Sequence, residues 1–211
     1  MNLTKRVQSM HDFFNEHIDD YDDKHAPLMK SKEDMIAALP DGVCRVLDLG
    51  AGTGLELFSL FERFPNAQVT AIDVSDLMLE KLKGRPFGHL VDCRLGDFFV
   101  LPFGECYDAV ISTSALHHFT PEDKKRLYAK IYACLKNGGV FINSDYYSET
   151  LSLQQACFLE LEENPHNRSH IDTPLTKEVE RELMEAVGFE DVAFLPTEPE
   201  RNALQIGYKP L

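Results

Sequence analysis

The sequence predicts an α/β protein: a mostly parallel sheet of about seven strands with helices on both faces. Three features predict it. Short apolar runs alternate with amphipathic stretches between Arg45 and Asp145, the order of strand and helix that a parallel sheet requires. Those runs are apolar at nearly every position rather than at every second one, which marks strands covered on both sides. The first run, "RVLDL", leads into Gly50, Gly52 and Gly54, where the main chain is left bare. With 211 residues, 44% hydrophobic and 27% charged, the chain has the size and composition of one globular domain.

Ahead of the alternating region, Leu3, Val7, Met10, Phe14, Ile18 and Tyr21 recur at helical spacing with a polar back. An acidic knot of Asp19, Asp20, Asp22 and Asp23 surrounds Tyr21. Pro27 interrupts, and a second helix over residues 28–39 stops at Pro40-Asp41-Gly42. The chain thus divides into a helical lead, residues 1–40, and a main unit, residues 41–211. In the main unit, residues 45–49 form the first strand, and a helix over 55–64 follows the glycines. Pro65-Asn66 turns the chain into a strand ending at Asp73, and Ser75 caps a helix carrying Leu77, Met78, Leu79 and Leu82. "HLVDCRLGD" and "YDAVIST" supply the third and fourth strands. Thr120-Pro121-Glu122-Asp123 opens a long helix with a capping hydroxyl and proline at the first helical position. Asn137-Gly138-Gly139 closes that helix before a fifth strand, "VFINSD". A helix over 149–164, the polar loop "PHNRSHIDTP" and a helix over 176–187 follow, and Gly188 ends the last. "DVAFL" and "NALQIGY" come close enough together to pair antiparallel.

The formal net charge is −14, a field that repels polyanions. Two basic groups, Lys124-Lys125-Arg126 and Lys81, Lys83 and Arg85, fall on predicted helices and read as solvated faces. A small-molecule partner is favoured, with tRNA left open. No stretch has the roughly 20 apolar residues of a membrane span, and the opening "MNLTKRVQSMHDFF" lacks the apolar core of a signal peptide. Cysteines 44, 93, 106, 134 and 157 form no CxxC pair and read as reduced thiols of a cytoplasmic protein. A monomer or a homodimer is expected.

Glycines after a parallel strand mark the sheet edge where ligands bind, and they let a ligand press against the main chain. A phosphate loop needs lysine after its last glycine, and none follows Gly54. The dinucleotide fingerprint is G-x-G-x-x-G, whereas the spacing here is G-x-G-x-G. Asp48, two residues before Gly50, would repel a pyrophosphate and attract an ammonium or sulfonium cation. That combination points to S-adenosylmethionine, which carries both cations and no phosphate. Asp73, at the end of the second strand, can accept both ribose hydroxyls. Asp97, after Gly96 at the end of the third, can accept from the adenine amine, with Phe98 beside it. Three acids on three neighbouring strand ends can span such a ligand.

The pieces "VLDLGAGTG", "AIDVSDLMLEKL", "RLGDF", "YDAVISTSALHHF" and "LKNGGVFINSD" occur in that order. They make the chain resemble the class I S-adenosylmethionine-dependent methyltransferases of the small bacterial type. The resemblance covers Arg45 to Asp145 and extends more loosely to both ends. It implies a Rossmann-like three-layer α/β/α sandwich with strand order 3-2-1-4-5-7-6, the seventh antiparallel, and residues 1–40 as a helical lid. It also implies that Asp48, Gly50, Ala51 and Gly52 line the methionine end. Asp73, Val74 and Met78 would hold the ribose and one face of the base, Gly96, Asp97 and Phe98 the base itself, and Ser112, Thr113 and Ser114 the floor beneath the sulfur. Tyr21, in a "YD" pair, would close over the methionine end.

His117 and His118 follow the fourth strand, and either one can serve as base or orienter, or simply hold the loop. Tyr146, Tyr147, His170 and Asp172 are candidates for the substrate rim. His166, His170 and Asp172 lack metal-ligand spacing, and no metal is expected. The expected activity is methyl transfer to a small acceptor. Its rivals are a tRNA-modifying enzyme using S-adenosylmethionine or a carboxylated derivative, an NAD-dependent oxidoreductase, and a non-catalytic S-adenosylmethionine-binding protein.

Overall fold

The computed structural model describes residues 3–163 and 172–211. Each apolar run expected to form a strand forms one. β1 (Arg45–Leu49), β2 (Gln68–Asp73), β3 (Val91–Leu95), β4 (Tyr107–Thr113) and β5 (Leu135–Tyr146) lie parallel. β6 (Glu190–Thr197) and β7 (Asn202–Tyr208) form the hairpin. The order across the sheet is β3-β2-β1-β4-β5-β7-β6. β7 is antiparallel to both neighbours, because the hairpin folds back to put its second strand between β5 and β6.

The helices are α1 (Leu3–Glu16), α2 (Tyr21–His25), α3 (Met29–Ala38), α4 (Glu56–Arg63), α5 (Asp76–Lys83), α6 (Pro121–Cys134), α7 (Leu151–Glu163) and α8 (Lys177–Glu185). The hydroxyls of Ser75, Thr120 and Thr176 cap α5, α6 and α8, each accepting from the N–H three residues on. α6 ends at Cys134, short of the glycines expected to close it. Residues 137–139 belong to β5, where Leu135 pairs with Tyr107 and Gly138 N–H donates to Lys209 O at 2.8 Å. Among the described residues, no helix is long and apolar enough to cross a membrane.

Side chains along each central strand alternate between two apolar layers. Val46, Ala71, Ile111 and Ile142 pack with Met35, Leu57, Leu60 and Leu82 of α3, α4 and α5. Leu47, Leu49, Val110 and Phe141 pack on the other side with Leu127, Tyr128, Ile131 and Met184 of α6 and α8. Met35 and Ile36 of α3 are buried in the first of these layers. The part of the helical lead that stands over the strand ends therefore lies before Met29.

One basic group behaves differently from its expectation. Lys124, read as part of a solvated face, is only 2% exposed and pairs with Glu180, which also accepts from Tyr128 Oη at 2.6 Å. It faces α8, where a lysine survives burial because a carboxylate meets it.

Candidate active site

The strand ends and the helical lead enclose a narrow cavity of about 40 Å³. β1 delivers the glycine turn to its floor. Gly50 has φ +73° and its N–H donates to Ile72 O at 2.8 Å, tying the turn to β2. A Cβ there would stand 2.5 Å from the Cβ of Ala115, so only glycine fits. Gly52, at φ +52°, lies under Tyr21, whose Oη would stand 3.1 Å from a Cβ. Asp73 joins these parts. Its Oδ2 accepts from Gly52 N–H and its Oδ1 from Ser75 N–H, both at 2.8 Å. Burial raises the Asp73 pKa, and those N–H bonds oppose the rise.

Gly50, Gly52, Asp73, Val74, Met78, Phe98, Thr113, Ser114 and Tyr21 all line this cavity. Met10, Phe14, Ala115 and Phe119 line it too. Met10 and Phe14 were legible only as an apolar stripe on a helix; that stripe is the roof. Asn15 docks the roof, accepting from Ser75 Oγ at 2.5 Å and donating to Asp76 at 2.9 Å. Asp22, from the acidic knot, accepts from Thr53 Oγ1 and Arg85 at 2.6 Å each, with Lys81 Nζ at 3.3 Å. The second basic group is thus largely spent on holding the roof down.

Other expected residues sit behind the lining. Ala51 is buried in the α3–α5 layer. Ser112 is fully buried and donates to Leu49 O at 2.7 Å, stitching β4 to β1. Gly96 N–H donates to Asp73 O, and Asp97 Oδ1 turns back to accept Phe99 N–H at 2.8 Å.

Asp48 differs most from its expectation. It shares the face of β1 that carries Val46, so its side chain enters the helix layer beneath the turn and does not line the cavity. There it meets Glu56, whose Oε2 accepts from buried Lys32 Nζ at 2.8 Å; Lys32 also donates to Thr113 Oγ1 at 2.6 Å. Burial, then the Glu56 charge, raises the Asp48 pKa well above the carboxylate range, whereas Lys32 holds that of Glu56 down despite burial. Two adjacent acids facing one lysine ionise once. Asp48 is therefore the neutral partner, and the anion expected beside the ligand is absent from the cavity wall.

A second, larger cavity, of about 310 Å³, opens beyond Ser114. His117 and His118 both line it, together with Tyr146 and Asp172. His117 Nδ1 meets Asp145 Oδ1 at 2.7 Å, and its Nε2 lies 3.4 Å from Asp172 Oδ1. Burial alone would lower the His117 pKa, but the Asp145 charge and hydrogen bond, followed by Asp172, lift it to about 9. Asp145 is fixed in turn by the N–H groups of Leu116 and His117, each at 3.1 Å. Burial, then Asp172 and Asp145, push the Tyr146 phenol up, and its ring centroid is 4.1 Å from that of His117. Tyr147 does not reach the cavity: Lys177 Nζ lies over its ring at 3.9 Å. His170 lies outside the described residues. Phe13, His17, Lys24, His25, Leu28 and Asn202 complete the wall, and no sequence spacing marked them.

Residues 46–139 match the family model described as a methyltransferase domain. The chain is 31% identical to a malonyl-[acyl-carrier protein] O-methyltransferase of Bacillus cytotoxicus over 60% of this chain and 44% of that one. It is 30% identical to a trans-aconitate 2-methyltransferase of Deinococcus radiodurans over 77% of this chain and 65% of that one. It thus spans less than two thirds of either relative. A chain from the complex of the Haloferax volcanii Trm112 methyltransferase activator with a methyltransferase shares the fold. It superposes with a TM-score of 0.71 at 21% identity, over 94% of this chain and 98% of that one.

The cradle fits S-adenosylmethionine: a glycine turn that Cβ atoms would fill, an acid at the end of β2 with lone pairs to spare for a ribose, and apolar walls at Met78 and Phe98. Strand order, cradle and domain match agree: residues 46–139 match a methyltransferase domain, and the fold is that of the class I S-adenosylmethionine-dependent methyltransferases.

Proposed function

We propose that this chain transfers a methyl group from S-adenosylmethionine to an oxygen of a small molecule held in the second cavity. One observation carries the reading. Phe14, Tyr21, Ser114 and His118 stand in the walls of both cavities, so the donor end of one opens on the other. When bound, S-adenosylmethionine supplies a methyl group already activated on a positively charged sulfur. The chain's own work is then alignment and exclusion of water. Asp73 holds the hydroxyls of the nucleoside, and Val74, Met78 and Phe98 pack on its apolar parts. Phe14 and Tyr21 close the junction; burial, then Asp73, raises the Tyr21 pKa, so its hydroxyl stays neutral.

His118 is the ring that faces both sides, and it orients the acceptor or takes its proton. His117, protonated at neutral pH between two carboxylates, positions the loop. His17, Lys24, His25 and Asn202 supply polar anchors for the acceptor, and Phe13 and Leu28 supply apolar ones. The O-methyl transfer in the name of the Bacillus cytotoxicus relative supports an oxygen acceptor. An RNA acceptor has less support, since Lys124 is buried and both Arg85 and Lys81 are engaged with Asp22.

Calorimetry against S-adenosylhomocysteine, a carboxylated S-adenosylmethionine and NAD tests the cofactor. Release of S-adenosylhomocysteine with a panel of small carboxylic acids and phenols, and with tRNA, tests the acceptor. Binding of S-adenosylhomocysteine and turnover on a small acid or phenol is expected. Affinity for NAD alone would overturn the reading. Salt-sensitive turnover on tRNA alone, or cofactor binding without turnover on any acceptor, would overturn the acceptor assignment.

A further inference from the structure

The turn after β4 and the segment at Asp172 bring two imidazoles and a carboxylate to one point of the second cavity. We infer that His117, His118 and Asp172 form a binding site for a single divalent transition-metal ion, with its remaining coordination positions open to that cavity. The inference does not depend on methyl transfer, and in the metal-bound chain His118 is a ligand and no longer a free base for the acceptor.

The geometry has three parts. First, the donor atoms of the three residues lie within 4.8 Å of one another. Asp172 Oδ1 is 3.4 Å from His117 Nε2 and 3.3 Å from His118 Nδ1. Ligands bound at roughly 2.0–2.1 Å around a tetrahedral zinc ion stand about 3.3 Å apart, so two edges of a coordination shell already exist.

Second, His117 has the outer partner that metal-bound histidines use. Its Nδ1 hydrogen-bonds Asp145 Oδ1 at 2.7 Å, which turns Nε2 towards Asp172. Asp145 is itself held by the N–H groups of Leu116, His117 and Tyr146 at 3.0–3.1 Å. A metal takes the place of the proton that Nε2 otherwise shares with Asp172.

Third, the two segments that carry the ligands are tied together next to them. Thr173 N–H donates to His117 O at 2.7 Å, and Thr173 Oγ1 donates to His117 O and Phe119 O at 3.0 and 3.1 Å. The two segments that carry the ligands are therefore held together before any ion enters. Both histidines are buried, at 5% and 4% exposure, while Asp172 remains partly accessible from the cavity.

Two imidazole nitrogens and one carboxylate oxygen select zinc, iron(II), cobalt or manganese over calcium or magnesium. Three protein ligands with open positions is the arrangement of a working site, in which an oxygen of a bound molecule completes the shell. The sequence spacing argued against a metal because it considered only neighbours along the chain, and Asp172 lies 54 residues from His118.

The test uses the full chain, stripped with chelator and titrated with zinc chloride. One equivalent is expected to bind with Kd at or below about 1 µM. Asp172→Asn, which keeps size and removes the charge, is expected to weaken binding at least tenfold, with unchanged circular dichroism. Asp145→Asn is expected to weaken it by about 10–100-fold through the outer partner.

Cys44 and Cys106 are exposed thiols and the obvious competing ligands, so cobalt(II) substitution of the unmutated chain supplies a readout that does not depend on folding of a variant. Weak visible bands without a sulfur-to-cobalt charge-transfer band are expected. A strong charge-transfer band, binding unchanged in Asp172→Asn, or less than a tenth of an equivalent bound at 100 µM zinc would each overturn the inference.

Discussion

The two cavities share a wall and differ in how they are made. The first is framed by main-chain turns, the glycine turn at the end of β1, the turn after β2 and the residues that follow β4, all at the strand ends of a parallel sheet, with side chains of Met10, Phe14 and Tyr21 as its roof. Its carboxylate, Asp73, is fixed to two backbone N–H groups. The second is built by side chains from α1, α2, the turn after β4, the end of β5 and the segment at Asp172. A site held by backbone is specified by spacing and by the absence of side chains. A site held by dispersed side chains is specified only by the folded chain. The difference predicts which substitutions damage the frame and which damage only the chemistry.

The largest effect is expected beneath the first cavity. Lys32→Met leaves Glu56 buried without its cation and should lower unfolding free energy by about 3–5 kcal/mol at neutral pH, measured by urea denaturation. The sign with pH follows from Glu56, whose depressed pKa in the wild type stabilises the fold at neutral pH and is lost as pH falls. In the variant Glu56 takes up a proton on acidification, so the deficit shrinks as pH is lowered. A deficit that grows instead would break the assignment of charge within the cluster.

Next comes Asp73→Ala, which removes hydrogen bonds worth about 1.5–3 kcal/mol each from the turn and the nucleoside. Affinity for S-adenosylhomocysteine should fall at least about a hundredfold by calorimetry. His118→Ala should leave that affinity within about threefold and lower turnover by roughly 10²–10⁴, the span of a lost acid–base group. Equal losses of affinity and turnover would erase the distinction between the cavities. The smallest effect is expected at Asp48→Asn. The carboxyl is neutral and outside the lining, so cofactor affinity should change by less than about threefold. A loss of a hundredfold there would restore it as a charged ligand contact.

The sequence carried the frame far better than the site. Apolar runs, caps at Ser75 and Thr120, and the closing hairpin were legible because local chemistry and the global sheet demand the same residues. Gly50, Gly52 and Asp73 were legible for the same reason, since a bare turn and an acid ending a strand leave a local pattern. Asp48 was misjudged because distance along the chain says nothing about face: one position on a strand turns the side chain into the opposite layer. The Lys124–Glu180 pair escaped notice because a lysine in a helix normally faces solvent. His117 and His118 were found by their place after β4. Asp145, which orients His117, looked like the polar end of an apolar run, His17 lay on the polar back of a helix, and Lys24 and His25 carried no local pattern.

The position of β7 has a consequence for how this protein is made. Residues 45–146 can assemble five parallel strands as they leave the ribosome, but the outer edge of β5, at Val140, Phe141 and Ile142, finds its partners only among residues 206–208. Throughout the synthesis of some sixty intervening residues, that apolar strand is an open template for pairing with any other nascent chain. The protein must either delay its sheet until β7 emerges or be shielded while it waits.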